Sequence, residues 1–147
     1  MVNVKDLMVG NWIKIPDRLI EVSNVLKGDI IGKDGAMIYI HKDKNLQGIP
    51  VTEELLKKIG FEEYEDLPLE GTFYRYWDKD YKYKLDVRNF WTNSKREWYV
   101  HIDNDVCNTI GSGEFDYIHE LQNLVRVITG HSLPITKEVF YGLGYES

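Results

Sequence analysis

Cysteine, proline and long apolar runs are all scarce in this sequence. The 147 residues contain one cysteine and four prolines. A lone Cys107 excludes an internal disulfide framework and fits a reducing compartment. No run of apolar residues reaches the length of a membrane-spanning helix, so no membrane role is expected. Residues 1–10 lack a basic start followed by an apolar stretch, which predicts no secretory signal and a cytoplasmic location. Histidine is also sparse. His41, His101, His119 and His131 never recur at the i, i+4 spacing of a helical zinc site, and no cysteine pair accompanies them. No metal, cofactor or catalytic residue is therefore assigned, and an enzyme is not expected.

An excess of positive charge is missing as well. The net charge is −6, where general attraction to phosphate calls for a basic domain. Residues 50–71 carry seven acidic and two basic side chains, and residues 114–147 carry five and two. The remaining segments are nearly balanced. With 43% hydrophobic and 29% charged residues, the composition is that of a globular chain rather than a disordered one. The length suits a single domain over 1–147, with a subdomain boundary near 62–71 as the place where it would divide.

The patterning predicts an α+β fold: antiparallel sheet with a small N-terminal β-meander, one short central helix, and one longer C-terminal helix packed on the sheet. Residues 11–15, 19–25 and 37–40 read as strands, separated by Pro16-Asp17, Lys27-Gly28-Asp29 and Asp34-Gly35. Ile20 and Val22 share one face of their strand. A helix is expected over 50–61. Thr52 is its N-cap, Glu53 and Glu54 lie in the first turn, Lys57 and Lys58 near the end, and Gly60 closes it. Leu55, Leu56 and Ile59 form its apolar stripe. The acidic stretch 62–71 reads as a loop. Strands follow at 73–77, 81–88, 97–102 and 106–110, joined by short turns and hence antiparallel. Cys107, among apolar neighbours, reads as a buried inert thiol. Gly111-Ser112-Gly113 reads as the break before a helix over 115–129. Tyr117, Leu121, Leu124, Val125 and Ile128 give that helix one apolar face, and Gly130 ends it. The tail after Ser132 retains Val139, Phe140, Leu143 and Tyr145, enough to dock.

Three stretches carry a resemblance. They are Val4-Lys5-Asp6-Leu7-Met8-Val9-Gly10-Asn11-Trp12, the run Ile49-Pro50-Val51-Thr52-Glu53-Glu54-Leu55-Leu56-Lys57-Lys58-Ile59-Gly60-Phe61, and Tyr117-Ile118-His119-Glu120-Leu121-Gln122-Asn123-Leu124 leading to Thr129-Gly130. In this order they resemble a family of short uncharacterised proteins from Bacteroides-type gut bacteria and their phages. The likeness spans residues 4–133. It implies a phage or mobile-element origin and a setting of phage–host interaction, and it brings no activity with it.

The segment 73–99 stands out, with ten of the nineteen aromatics and seven basic residues. Tyr, Trp and Arg concentrate at protein interfaces. The expected interaction surface combines Tyr74, Tyr76, Lys82, Lys84, Arg88, Trp91 and Tyr99 with the acidic Glu62, Glu63, Glu65 and Asp66. Its partner would be a host or phage protein, or a second copy in a homo-oligomer. Strict alternation also assigns Tyr81, Tyr83 and Trp98 to the core and Lys82, Lys84 and Arg88 to solvent. That separation of aromatics from cations disfavours nucleic acid, whose stacking recognition needs both on one exposed face. An alternative enzyme reading would gather His101, Asp103 and His119.

Overall fold

The computed structural model describes residues 2–144 except 17, 28, 35–36, 43–45, 67–70, 79, 81, 93–94 and 105–107. The description covers backbone only for residues 34, 37–42, 66, 71, 90–92, 95 and 96. Cys107, Tyr81, Tyr145 and the side chains of Trp91 and Asp66 therefore lie outside it.

The described residues form two antiparallel sheets and two α-helices. Strands β1 (Trp12–Ile15), β2 (Arg18–Val25), β3 (Asp29–Asp34) and β4 (Met37–Lys42) make a four-stranded meander in sequence order. Helix α1 (Glu53–Ile59) follows. Strands β5 (Glu62–Asp66), β6 (Gly71–Asp78), β7 (Tyr83–Thr92), β8 (Lys95–Asn104) and β9 (Thr109–Phe115) make the second sheet, again in sequence order. Helix α2 (Ile118–Thr129) closes over it, and a 3-10 turn at Lys137–Phe140 lies in the tail.

Both helix ends of α1 follow local chemistry. The Thr52 hydroxyl accepts from the Leu55 N–H at 3.1 Å, satisfying a donor that the helix leaves open. Gly60 turns the chain at φ 126° and donates to the Leu56 carbonyl, a conformation that a side chain would strain. Leu55, Leu56 and Ile59 are buried. Helix α2 begins three residues later than the periodicity suggests, because β9 continues as far as Phe115. Its Glu120 carboxylate accepts from the Asp116 and Tyr117 N–H groups at 3.1 and 3.0 Å.

Two expectations are corrected here. Residues 62–66 are a strand rather than the start of a loop. Tyr64 is half-exposed, and the flanking Glu62, Glu63 and Glu65 are exposed, so no apolar alternation marks the segment. It is an edge strand held by its ladder to β6, from Glu62–Arg75 to Asp66–Gly71. Gly111-Ser112-Gly113 does not break the sheet but lies inside β9. A Cβ on Gly111 would stand 2.6 Å from Ile128 Cδ1, and one on Gly113 would stand 2.8 Å from Leu124 Cδ2. The glycines clear the surface on which α2 rests.

Among the described residues the core has two buried clusters. The smaller contains Ile13, Ile15, Ile20, Val22 and Ile30 of the meander with Val2, Val4, Leu7 and Leu46. The larger joins α1, α2, the inner face of the five-stranded sheet and the tail residues Leu133, Val139 and Phe140, and it includes Trp12 and Leu19 from the meander. Polar side chains of α2 fasten the N-terminal segment to this core. Gln122 Oε1 accepts from the Trp12 N–H at 3.0 Å, and Gln122 Nε2 donates to the Gly10 carbonyl at 3.1 Å. Asn123 Oδ1 accepts from Asn11 Nδ2 at 2.8 Å, and Asn123 Nδ2 donates to the Asp6 carbonyl at 2.7 Å. Asn11 is buried. Removing its partner with Asn123→Ala strands a desolvated amide, and urea unfolding should show a loss of about 1–3 kcal/mol.

Candidate interaction surface

Side chains on β6, β7 and β8 alternate between the core and an outer face. Tyr74, Tyr83, Leu85, Val87, Trp98, Val100 and Ile102 are buried on the inner side. The outer face is organised by register into three rows that cross the strands. Tyr64, Phe73, Arg88, Tyr99 and Glu114 form the first. Glu62, Arg75, Asp86, His101 and Ser112 form the second. Trp77, Lys84, Asp103 and Thr109 form the third.

The first two rows interlock. Tyr64 and Phe73 stack with centroids 5.5 Å apart. The Arg75 guanidinium lies 5.3 Å from the Tyr64 ring and 5.0 Å from Phe73, and the Arg88 guanidinium lies 4.6 Å from Phe73. Cations over ring faces gain from the ring quadrupole. Phe73 is buried although it points outward. Arg75 grips Asp86 with two bonds, Nε–Oδ1 at 2.7 Å and an NH2–Oδ2 bond at 3.2 Å. That bond is the main reason why its guanidinium holds its proton even more firmly than usual. The Tyr64 hydroxyl donates to Glu62 at 2.9 Å, and the same carboxylate raises the phenol's pKa. A concavity of 470 Å³ opens among Asp86, Arg88, Tyr99 and His101.

A small polar cluster joins His101 of the second row to the third row. His101 Nε2 lies 2.7 Å from the Thr109 hydroxyl and 3.4 Å from Asp103 Oδ1, and Thr109 donates to the same carboxylate oxygen at 3.2 Å. Lys84 reaches the other Asp103 oxygen at 3.6 Å. A proton on His101 Nε2 satisfies both neighbours. In that tautomer the ring has no lone pair at Nε2 to take the Thr109 proton.

The residues predicted for the surface divide between locations. Lys84, Arg88 and Tyr99 share the outer face, and Glu62 flanks it beside Arg75. Tyr74 does not belong to it: at 2% exposure it is core, tilted against Trp98 at 6.3 Å. Tyr76 also faces inward and packs on Phe61 at 5.5 Å. Alternation along β6 sends these two tyrosines to the side opposite Phe73, Arg75 and Trp77. Lys82 is exposed in the turn before β7, at φ 57°. Glu63 pairs with Lys57 of α1 at 3.0 Å, and Glu65 is exposed on the edge strand.

The separation of aromatics from cations does not hold across strands. Tyr64, Phe73, Trp77 and Tyr99 lie on the same face as Arg75, Lys84 and Arg88. Phe73, Arg75 and Trp77 carry a signal legible in the sequence, since they are the opposite phase of the alternation that places Tyr74 and Tyr76. The proposed meeting of His101, Asp103 and His119 does not occur. His101 and Asp103 lie on the outer face of β8, while His119 lies on α2, which packs against the inner face. Among the described residues no group of three His, Cys, Asp or Glu side chains is placed to hold a metal ion. No helix of the described residues is long and apolar enough to cross a membrane.

His119 is buried beneath Tyr117, whose ring stacks on it at 5.9 Å. Burial lowers its pKa from the ordinary 6.5, with Glu120 and Asp6 opposing the shift only in part. The unfolded chain therefore binds a proton that the folded chain refuses in the window just below pH 6.5. Stability should fall as pH drops through that window. Urea midpoints taken at about pH 7 and about pH 5 should show a smaller acid loss for His119→Leu than for the wild type.

The chain matches no protein-family model, no curated protein and no solved structure.

Proposed function

We propose that this protein is a non-enzymatic protein-binding module of a phage or mobile element, acting in phage–host interaction through the outer face of its five-stranded sheet. The supporting observation is the single face that carries Tyr64, Trp77 and Tyr99 with Arg75 and Arg88, and on which a 470 Å³ concavity opens at Arg88 and Tyr99. Aromatic and arginine anchors on a rigid platform lose little entropy on binding and dominate interface energetics. The phage setting rests on the sequence resemblance.

Nucleic acid is the second reading, favoured by the shared face of aromatics and cations. Against it, Asp86 and Asp103 partner Arg75 and Lys84, which reduces the field available to a phosphate. A tagged pull-down from a Bacteroides-type lysate, split into nuclease-treated and untreated halves, separates the two. One stoichiometric protein retained after nuclease supports the module. Arg88→Glu with Tyr99→Ala should then weaken its binding by at least ~2 kcal/mol, about thirtyfold in Kd. Capture lost with nuclease, and a steep salt dependence, would favour nucleic acid instead.

A further inference from the structure

The two edges of the five-stranded sheet are built differently. The β5 edge carries Glu62, Glu63 and Glu65, all exposed, and such charge discourages another strand from pairing. The β9 edge reads Thr109-Ile110-Gly111-Ser112-Gly113, with no charge before Glu114, and Ile110 is 45% exposed. Among the described residues, β8 is the only strand paired with β9. Just beyond β9, the chain already uses this edge. The Val51 N–H donates to the Asp116 carbonyl at 3.1 Å, and the Ile118 N–H donates to the Ile49 carbonyl at 2.8 Å. Alternation of an antiparallel ladder turns the N–H and C=O groups of Ser112 and Glu114 to the same side as the Asp116 carbonyl. The three-residue segment at 49–51 stops short of them.

Beside this edge, α2 supplies one wall of a 400 Å³ groove whose lining includes Asp6, Glu114, His119, Glu120, Leu124 and Val127. Among the described residues, three carboxylates line it and no lysine or arginine does. Val127 is 75% exposed. His119 is 4% exposed, and its Nδ1 is buried with no hydrogen-bond partner among the described residues, a state that marks an unused polar site.

We propose that the groove between the open edge of β9 and α2 takes an extended, basic segment of another protein, added to the sheet as its sixth strand. Backbone groups of Ser112 and Glu114 pair with the incoming strand. Its inward side chains fall beside α2, where a lysine lays its methylene stem along Leu124 and Val127 and its ammonium among the carboxylates. This surface adjoins the outer face at Glu114, which ends the first row, but uses neither Arg88 nor Tyr99.

The probe is a fluorescein-labelled peptide of alternating lysine and threonine, with glutamate replacing lysine in the control. Anisotropy should rise saturably for the first peptide alone, and amide exchange at Ser112 and Glu114 should slow in the complex. Ser112→Pro removes an edge N–H that β8 does not use. Asp6→Lys with Glu114→Lys reverses the charge, and Val127→Lys fills the groove from an exposed helix position. Each variant should weaken binding about tenfold or more. Absence of saturable binding, equal binding of the control peptide, or binding indifferent to both Ser112→Pro and Val127→Lys would overturn the proposal. So would a dimer in sedimentation that Ser112→Pro dissolves, because the edge would then belong to a second copy.

Discussion

Phe140→Ala should lower the free energy of unfolding by about 3–5 kcal/mol. Phe140 is fully buried, and its ring meets Trp12 at 5.3 Å, tilted by 50°. The same Trp12 donates its indole N–H to the Ile135 carbonyl at 3.3 Å. Trp12 comes from the first strand of the meander, and Phe140 from the 3-10 turn of the tail. Truncation therefore removes an aromatic from the point where N-terminal and C-terminal segments close one core. The lost transfer energy is joined by a cavity, since Leu133 and Val139 are already committed to neighbouring contacts in that cluster. The check is equilibrium urea unfolding: the midpoint should drop sharply with little change in slope. A loss below about 1 kcal/mol would mean that the tail is not part of the cooperative core.

The second large effect is expected from Gly111→Val combined with Gly113→Val, about 2–6 kcal/mol for the pair. Each valine would place its Cβ within 2.6–2.8 Å of a methyl carbon of Ile128 or Leu124, far inside van der Waals contact. Valine is otherwise well suited to a strand, so propensity alone predicts stabilisation. The opposite sign is a direct reading of helix–sheet packing. Leu124→Ala should recover part of the loss from Gly113→Val and very little of that from Gly111→Val, which presses on Ile128 instead. A double-mutant cycle measures this coupling. Additive behaviour across all three sites would contradict the packing of α2 on β9.

Local order was legible in the residues themselves. Thr52, the paired glutamates and lysines, and Gly60 define α1 because capping and dipole effects act within a single turn. The α+β class, the meander and the antiparallel strands follow from two-residue alternation with short turns between. The apolar face of α2 was readable too, with Leu121 and Val125 buried as expected. Val139 and Phe140 of the tail dock as their apolar character suggests.

Tertiary structure alone decided the rest. Edge strand β5 carries no periodic signal, because its pairing with β6 uses backbone groups that every residue possesses. Gly111-Ser112-Gly113 has the composition of a turn, and only the approach of α2 makes its missing side chains a packing surface. Alternation along one strand tells which residues share a side, but not which residues of neighbouring strands stand beside them. Register fixes that, through turn geometry and burial of the opposite face. It sets Phe73 beside Arg88 and Tyr99, withdraws Tyr74 and Tyr76 into the core, and keeps His101 and His119 on opposite sides of the sheet.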